Sequence, residues 1–326
     1  MRTFTLITLW LLAALVFAVC AGHVWATPIQ VARAAAGDPS LQARLLFEWR
    51  VPRVLAAGLV GALLGLSGAI FQGIFRNPLA EPYLLGSSGG ASIGAAIALL
   101  VPLGVPSFSV LAVLSFLGAW GATWSVVAVA RLAGTVDAVG LLLAGVAIGQ
   151  TLIAVRSLMM LALSDDTMNL QVILSWTLGG IQTPSWGGLA LLAVLTAIAI
   201  AAVLALSRGL DLLGLGEEQA RAFGLPVSRF LNRAVLIAAA VVAIAVAWGG
   251  LVMFVGLIAP HIARWQVGPR HRQLLPVSAA IGAAIVLVCD GLARALLPPA
   301  EIPLGLITSI AGGPFFIVLL ARRLRT

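Results

Sequence analysis

The chain has 326 residues, of which 61% are hydrophobic and 9% are charged, and its formal net charge is +8. A single aqueous core cannot bury this much apolar surface, so the composition excludes a soluble globular protein and predicts an integral membrane protein. All 19 basic residues other than histidine are arginines, scattered between apolar runs, which argues against nucleic-acid binding. Because a standard Walker A loop needs a lysine, this chain has no P-loop of its own.

The first apolar run, Phe4–Gly22, is long enough to span a bilayer. Met1-Arg2 before it and Val24-Trp25-Ala26 after it also resemble a signal peptide with a cleavage site. Because further hydrophobic segments follow, we expect a retained helix. The mixed, polar stretch 27–49 is then predicted to be an external connection between the first two spans.

Apolar segments predict an all-α membrane protein with about ten spans of about 20 residues each, in a single domain over residues 1–326. The predicted spans are 4–22, 52–75, 83–101, 108–130, 139–163, 186–206, 232–250, 251–268, 273–294 and 305–321. The boundary near Gly249-Gly250 is the weakest, because the apolar run there is nearly continuous. Two spans carry stripes of small residues that favour close helix contact: Gly58, Gly61, Gly65 and Gly68, then Gly86, Gly90 and Gly94.

The arginines predict the sidedness of these spans. With ten spans and a cytoplasmic N-terminus, thirteen arginines lie inside: Arg2, Arg76, Arg131, Arg208, Arg221, Arg229, Arg233, Arg264, Arg270, Arg272, Arg322, Arg323 and Arg325. Five lie outside: Arg33, Arg44, Arg50, Arg53 and Arg294. This positive-inside bias places both termini and the segment 207–231 in the cytoplasm.

Within that segment, Ser207–Pro226 is the longest interior stretch rich in both charge signs. Gly216 and Gly224 bracket a short helical candidate, with Glu217 and Glu218 at its start, where carboxylates complement the helix dipole. Gly224 before Leu225-Pro226 is a stop signal.

Two residues of this candidate helix, Ala220 and Phe223, are three positions apart and are predicted to share a small apolar face. The sequence leaves two interpretations open. Either the stretch is an amphipathic helix that binds a soluble partner, or it is a solvated loop between spans.

No residues show the spacing of a metal or catalytic site. The three histidines lie far apart, and both cysteines lie in apolar runs, which also argues against a disulfide framework: His23, His261, His271, Cys20 and Cys289. The sequence therefore predicts no bound metal and no enzyme active site.

Arg156 lies inside the span 139–163, beyond its midpoint. A charge near mid-membrane costs about 2.5–3.5 kcal/mol on insertion scales, so it should face a bundle interior or a wet cavity. Three residues share its helical face and could line a path for an anionic group: Gly149, Leu152 and Met160. The alternatives are that Arg156 snorkels outward or pairs with Asp165 or Asp166.

Three arginines gather on the outer side in this topology. Arg50 and Arg53 are about one turn apart at the start of the second span, and Arg294 closes the ninth. Together they could dock the carboxylates of an extracytoplasmic protein. The alternative is interfacial anchoring, and for Arg294 an i, i+4 pair with Asp290.

Several motifs occur in collinear order over nearly the whole chain: RVPRVL (50–55), LSGA (66–69), RNPLAEP (76–82), YLLG (83–86), LLAGVA (142–147), LGEEQAR (215–221), FVGLIAPH (254–261), EIPLG (301–305) and GGPFF (312–316). Jointly they resemble the FecCD-type permeases of type II ABC importers, which move iron-siderophores, haem or cobalamin. The resemblance implies a homodimer of ten-helix subunits in the bacterial inner membrane, with one pathway at the interface.

The resemblance also implies partners and site residues. Two ATPase subunits would use ATP and magnesium, one periplasmic binding protein would deliver substrate, and this chain would bind no cofactor. The Gly-Glu-Glu loop would form the coupling helix in a cleft of the ATPase, through Glu217, Glu218, Gln219, Ala220, Arg221, Phe223 and Gly224. The family's docking arginines map onto Arg50, Arg53 and Arg294.

The implied mechanism is alternating access driven by closure of the ATPase dimer. The helix that carries Arg156 matches the one that lines the family's pathway. An arginine there fits haem propionates or siderophore carboxylates better than cobalamin. The competing interpretation is a stand-alone secondary transporter or channel, which would be expected to carry paired intramembrane carboxylates or histidines. The predicted spans are nearly bare of these apart from Asp290.

Overall fold

The computed structural model describes residues 2–101, 107–134, 138–163 and 176–323, and within these ranges the chain is helical, with no β-strand. The α-helices of the described residues are α1 (Arg2–Cys20), α2 (Pro28–Ala35), α3 (Leu41–Leu45), α4 (Val51–Ile74), α5 (Ser87–Leu100), α6 (Ser107–Leu132), α7 (Ala138–Leu163), α8 (Trp186–Ala205), α9 (Ser207–Gly214), α10 (Glu217–Ala222), α11 (Val227–Gly249), α12 (Val255–Val267), α13 (His271–Ala295) and α14 (Leu304–Arg323). A π-helical turn, Leu46–Arg50, joins α3 to α4, and a 3-10 turn, Pro82–Leu85, precedes α5.

Each of the ten predicted spans coincides with a helix. Six helical segments of the described residues are long and apolar enough to cross a bilayer: Leu41–Ile74, Val110–Leu132, Val139–Ala162, Trp186–Ala205, Val227–Gly249 and His271–Ala295. Shorter apolar helices are Phe4–Cys20, Ser87–Leu100 and Leu304–Val318. The all-helical membrane fold is thus confirmed, but the expectation of uniform spans of about 20 residues is wrong for the third and the eighth.

Helices α5 and α12 have only 14 and 13 residues. At 1.5 Å per residue each rises about 20 Å, less than the hydrocarbon thickness of about 30 Å. Each begins after a break with positive φ: Gly86 has φ 75° before α5, and Gly250 and Phe254 have φ 62° and 66° before α12. The break at Gly250 resolves the weak boundary in the apolar run, because the backbone there turns out of the helix although the side chains stay apolar.

The two breaks are hydrogen-bonded to each other. The Tyr83 hydroxyl donates to the carbonyl of Val252 (3.2 Å), and the N–H of Phe254 donates to the Glu81 carboxylate (3.1 Å). These bonds satisfy groups that the helix breaks release, as non-helical backbone inside a membrane protein requires.

Helix α4 is the central helix, and nearly all its residues from Val54 to Ile74 are buried. It packs most extensively against α13, and also against α11 and α12. Gly61 and Gly65 lie directly against the α13 backbone at Gly282 and Ser278, where an added methyl group would overlap main-chain atoms. Small residues therefore set the distance between these two helices.

The remaining stripe glycines divide by environment. Gly68 lies against the backbone of Gly256 on α12, whereas Gly58 makes ordinary contact with one side chain of α13. In the second stripe, Gly90 and Gly94 meet the backbone of α6, while Gly86 sits outside the helix in a left-handed conformation. Both stripes are confirmed as contact surfaces: Gly58 makes the looser contact, and Gly86, although outside the helix, lies against the backbone of Gly149 on α7.

Short helices α2 and α3 lie within the stretch expected to be only a polar connection. Thr27 caps α2, since its hydroxyl accepts from the N–H of Gln30 (3.3 Å) and the Gln30 side chain accepts from the N–H of Thr27 (2.8 Å). Ser40 caps α3 in the same way through Ala43 (3.3 Å). The Thr27–Gln30 spacing is a capping-box signal that is readable in the sequence.

Gly68→Val is expected to lower the thermal stability of the purified protein. Its side chain would enter the backbone of Gly256, and overpacking of this kind typically destabilises by about 1–3 kcal/mol. Gly121→Val on α6 is the matched control, because nothing lies within 4 Å of a β-carbon placed there. Size-exclusion recovery after heating in detergent measures the effect. Equal midpoints for the two variants would contradict the close contact.

Candidate functional site

Helix α4 separates two clusters of charged and polar side chains. Its 24 residues rise about 36 Å, so Arg53 in its first turn and Gln72 in its last turn lie at opposite ends of the bundle. Each end gathers residues that are distant in sequence. We call them the Arg53 end and the Gln72 end.

At the Gln72 end, the predicted short helix is present as α10, Glu217–Ala222, between Gly216 at φ 111° and Gly224 at φ 83°. Both glutamates lie in its first turn. Glu217 also pairs with Arg221 at 3.2 Å, an i, i+4 contact. The stretch is therefore a helix rather than a loop, while its binding of a soluble partner stays a prediction. Helix α9, directly before it, was not predicted.

The two apolar residues of this segment do not share a face. Ala220 is fully buried, whereas the side chain of Phe223 is 67% exposed. The expectation of a common face is wrong because the helix ends at Ala222, so Phe223 is the capping residue and turns away. Glu218, Gln219 and Arg221 are exposed as well. The segment thus presents a charged surface with one projecting aromatic ring.

Beside α9 lies a cavity of about 740 Å³ whose walls carry four arginines and a histidine–aspartate pair: Arg76, Arg208, Arg264, Arg270, His271 and Asp211. Asp211 Oδ1 is 2.7 Å from His271 Nδ1 and also accepts from the His271 N–H at 2.9 Å. The pair joins α9 to the start of α13. Sequence reasoning missed this network because its members are about 60 positions apart with no spacing signal.

A second contact at this end joins α4 to α12. Arg264 donates to the Gln72 side chain at 3.1 Å, and the Gln72 amide donates to the carbonyl of Leu257 at 3.3 Å. Gln72 is buried, so these bonds satisfy both ends of its amide. Helix α9 therefore rests on a hydrogen-bonded platform at the ends of α4, α12 and α13.

At the Arg53 end, a buried carboxylate lies between two guanidinium groups. The Asp290 side chain is 1% exposed and contacts Arg53 Nε at 3.2 Å and Arg294 Nε at 3.0 Å. Arg294 also donates to the carbonyls of Ala18 (2.7 Å) and Ala21 (2.6 Å) at the end of α1. The network joins α1, α4 and α13.

The three arginines predicted to dock a partner differ in how exposed their guanidinium groups are and in how many of their donors are already bonded. Arg294 is 6% exposed and directs every donor group into the protein, so its docking role is corrected: it is the anchor, with the i, i+4 pair to Asp290. Arg50 is half-buried and donates to the carbonyls of Val24 (2.9 Å) and Val19 (3.4 Å). Arg53 extends its outer edge to Glu301 at 2.8 Å.

On α7, the predicted pathway face turns toward α5. Gly149 is buried against Gly86 and Gly89, and Leu152 lies against Gly89, while Met160 is half-buried. A pathway role for Gly149 is therefore wrong in this conformation, because the close approach of α5 covers it. The opposite face of α7 is exposed and includes a mid-span amide and hydroxyl: Val146, Gln150, Thr151, Val155 and Leu158.

Arg156 is half-buried, and its Nε is buried with no hydrogen-bond partner among the described residues. The predicted alternative partners Asp165 and Asp166 lie outside the described residues. An unpaired guanidinium nitrogen at this depth is unfavourable in hydrocarbon. The pathway role of Arg156 therefore stays a prediction.

An all-helical bundle with central glycine packing and an exposed two-helix segment at one end is the architecture of a membrane permease. The chain belongs to the FecCD transport family, whose model matches residues 10–322. It is accordingly a permease of the metal-chelate, hemin and vitamin B12 class of ABC importers, and the resemblance drawn from its motifs is confirmed.

Named relatives agree with this assignment. The hemin transport system permease protein HmuU of Yersinia pestis is 38% identical over 84% of this chain and 82% of its own length. The vitamin B12 import system permease protein BtuC of Klebsiella pneumoniae is 39% identical over 97% and 92%. A solved structure described as an inward-facing conformation of a metal-chelate type ABC transporter covers 98% of this chain and 99% of its own, with TM-score 0.85 and 32% identity.

Arg294→Gln is expected to destabilise the protein strongly. It leaves two carbonyls of α1 unpaired and Asp290 with a single partner, and breaking a buried ion pair typically costs about 3–5 kcal/mol. Arg44→Gln is the control, because Arg44 lies at the same end but is exposed on α3. Thermal unfolding in detergent distinguishes the two. Indistinguishable midpoints would show that Arg294 is not an anchor.

Proposed function

We propose that this permease imports an anionic metal chelate, an iron-siderophore or haem in preference to cobalamin, by alternating access. Its family implies ATP-binding subunits and a substrate-binding protein as partners. The observation that carries the proposal is the exposed α10 segment, which gives a separate ATPase a charged and aromatic surface to hold.

The ATPase contact is assigned to the Gln72 end. Phe223 and Leu215 are 67% and 53% exposed although they are large apolar side chains, and charged residues of α10 surround them. Such an aromatic anchor with a polar rim is typical of a protein interface. ATP and magnesium are used by that partner, and this chain binds no cofactor of its own.

Transmission from this contact is supported by the packing beneath it. Helix α9 is bonded through Asp211 to His271, the first residue of α13, and the Gln72–Arg264 bond joins α4 to α12. A displacement of α10 would therefore be transmitted to α4, α12 and α13 together. Rigid-body rocking of such a unit is a common form of conformational switching.

A homodimer is supported by the exposure of α7. The apolar window of this helix is only 17% buried, the least of the candidate spans in the described residues. Gln150 lies near the middle of its exposed face, where a polar side chain in lipid is unfavourable, whereas the Thr151 hydroxyl donates to the carbonyl of Ala147. A second copy across a wet pathway would satisfy both the apolar and the polar residues of this face.

The orientation follows from the arginine distribution. The Gln72 end faces the cytoplasm of a bacterial inner membrane, both termini are cytoplasmic, and the Arg53 end faces the periplasm. Arg53, with Arg50 beside it, would then meet acidic side chains of the substrate-binding protein. The affinity of that protein for a panel of ferric siderophores, haem and cobalamin tests the substrate class.

Glu217→Lys/Glu218→Lys is expected to uncouple the importer. The double variant reverses the charge at the start of α10, so the ATPase should co-purify poorly, or hydrolyse ATP without transport, with uptake reduced at least tenfold. Uptake and ATP hydrolysis in proteoliposomes measure both effects. The control is Glu48→Lys, a charge reversal at an exposed residue near the Arg53 end. Intact coupled transport in the α10 variant would remove the coupling site from α10.

Arg156→Leu is expected to reduce uptake while leaving dimer assembly and stability unchanged. The substitution removes a guanidinium group from within the span 139–163 and fits the same half-buried space. Arg156→Lys retains the charge and should restore part of the uptake of an anionic substrate. Normal uptake by the leucine variant would show that Arg156 only snorkels.

A further inference from the structure

We propose that Glu301 occupies, in the free permease, the position on Arg53 that an acidic side chain of the substrate-binding protein takes on docking. The inference rests on the proposed docking function of the Arg53 end. It adds a resident competitor, within this chain, that sets the affinity of docking. Glu301 was not among the residues that the sequence predicted for the site.

The two edges of the Arg53 guanidinium have different partners. Its Nε contacts Asp290, whose side chain is 1% exposed and is held by Arg294 on its other side. Its NH1 contacts Glu301 at 2.8 Å, and the Glu301 side chain is 53% exposed. The inner carboxylate is therefore fixed, whereas the outer one already reaches solvent and is the one of the two that can leave.

The main chain around Glu301 is anchored independently of its side chain. The N–H of Ile302 donates to the carbonyl of Ala293 (3.1 Å), and the N–H of Leu304 donates to the carbonyl of Gly179 (2.9 Å). The carboxylate can consequently swing into solvent while the backbone keeps its place. Displacement requires a change of side-chain rotamer and no rearrangement of the loop.

There is room for a second carboxylate beside Arg53. A polar cavity of about 170 Å³ opens there, and its walls include Gly180, Gln182 and Glu301. Since a water occupies about 30 Å³ in the liquid, the space accepts the tip of an acidic side chain with a few waters. The cavity is polar, which suits a charged tip rather than an apolar anchor.

Charge balance specifies the incoming group. With Glu301 turned away, Arg53 and Arg294 face a single buried carboxylate, Asp290, so the cluster carries one uncompensated positive charge. A guanidinium edge in this setting favours a carboxylate. An acidic residue on the surface of the binding protein neutralises this positive charge, whereas a basic or neutral residue leaves it uncompensated.

The expected change in docking affinity follows from the solvent exposure of the Glu301 side chain. Ion pairs with a solvent-exposed member are worth up to about 1 kcal/mol, which corresponds to about a fivefold change in affinity. Glu301→Gln is therefore expected to tighten docking by about two- to fivefold. Arg53→Gln is expected to weaken it, and in Arg53→Gln/Glu301→Gln the effect of the second substitution should disappear.

The experiment measures the Kd between the permease in nanodiscs and a purified substrate-binding protein. That binding protein comes from the same organism as the permease and is selected because it binds the wild-type permease. Glu48→Gln is the matched control, because Glu48 is exposed in the turn before α4 at the same end and its loss changes the net charge equally. It should leave the Kd unchanged. If Arg53→Gln is not recovered folded, Arg53→Lys takes its place.

The outcomes separate the two proposals. If Arg53→Gln weakens docking but Glu301→Gln does not tighten it, Glu301 is not a competitor and the inference is overturned while the docking role stands. Equal tightening by Glu48→Gln overturns it as well, since a general charge effect then suffices. If Arg53→Gln leaves the Kd unchanged, the docking role of Arg53 itself is wrong.

Discussion

The fold depends on the close approach of α4 to α13 and α12 without side chains between their backbones. Within a bilayer, lipid is as apolar as the helix surface, so association of helices relies on packing rather than on the hydrophobic effect. Gly61, Gly65 and Gly68 provide that packing by letting main chains touch. Because the contact runs along α4, it joins the two ends of α4 to those of α13.

This paired core connects two unlike clusters of charge. At the Arg53 end, Asp290 and Arg294 are buried and mutually satisfied, which fixes α1 against α13. At the Gln72 end, the hydrogen-bonded platform under α9 leaves the charged face of α10 outside. The Arg53 end thus holds helices together, and its Arg53–Glu301 pair is the contact proposed to exchange. The Gln72 end carries the surface proposed to bind the ATPase.

Much of this arrangement was predictable from the sequence, because apolar length, glycine spacing and turn residues act locally. The short helix between Gly216 and Gly224 is an example, since its acidic start and glycine stop are neighbours in the chain. The shared apolar face of Ala220 and Phe223 failed because a helix of six residues ends before that face is complete.

Other features depend on contacts between distant segments and leave no local pattern. The breaks that shorten α5 and α12 are joined by hydrogen bonds between Tyr83 and Val252 and between Glu81 and Phe254, about 170 positions apart. The orientation of Gly149 follows from α5, not from α7. The pairing of Arg53 with Glu301 likewise joins the second span to the loop before the last helix, so no spacing rule could reveal it.

The central claim is that a separate ATPase binds α10 and drives the conformational change of the permease through it. Site-specific photo-crosslinking from position 223 in native membranes tests it most directly, with position 25 at the other end as the reference, since Trp25 is 59% exposed. The account predicts that a crosslinker at position 223 forms an adduct with a subunit bearing a Walker A motif and that one at position 25 does not. An adduct of position 223 with the periplasmic binding protein, or labelling of that position from outside intact cells, would contradict it.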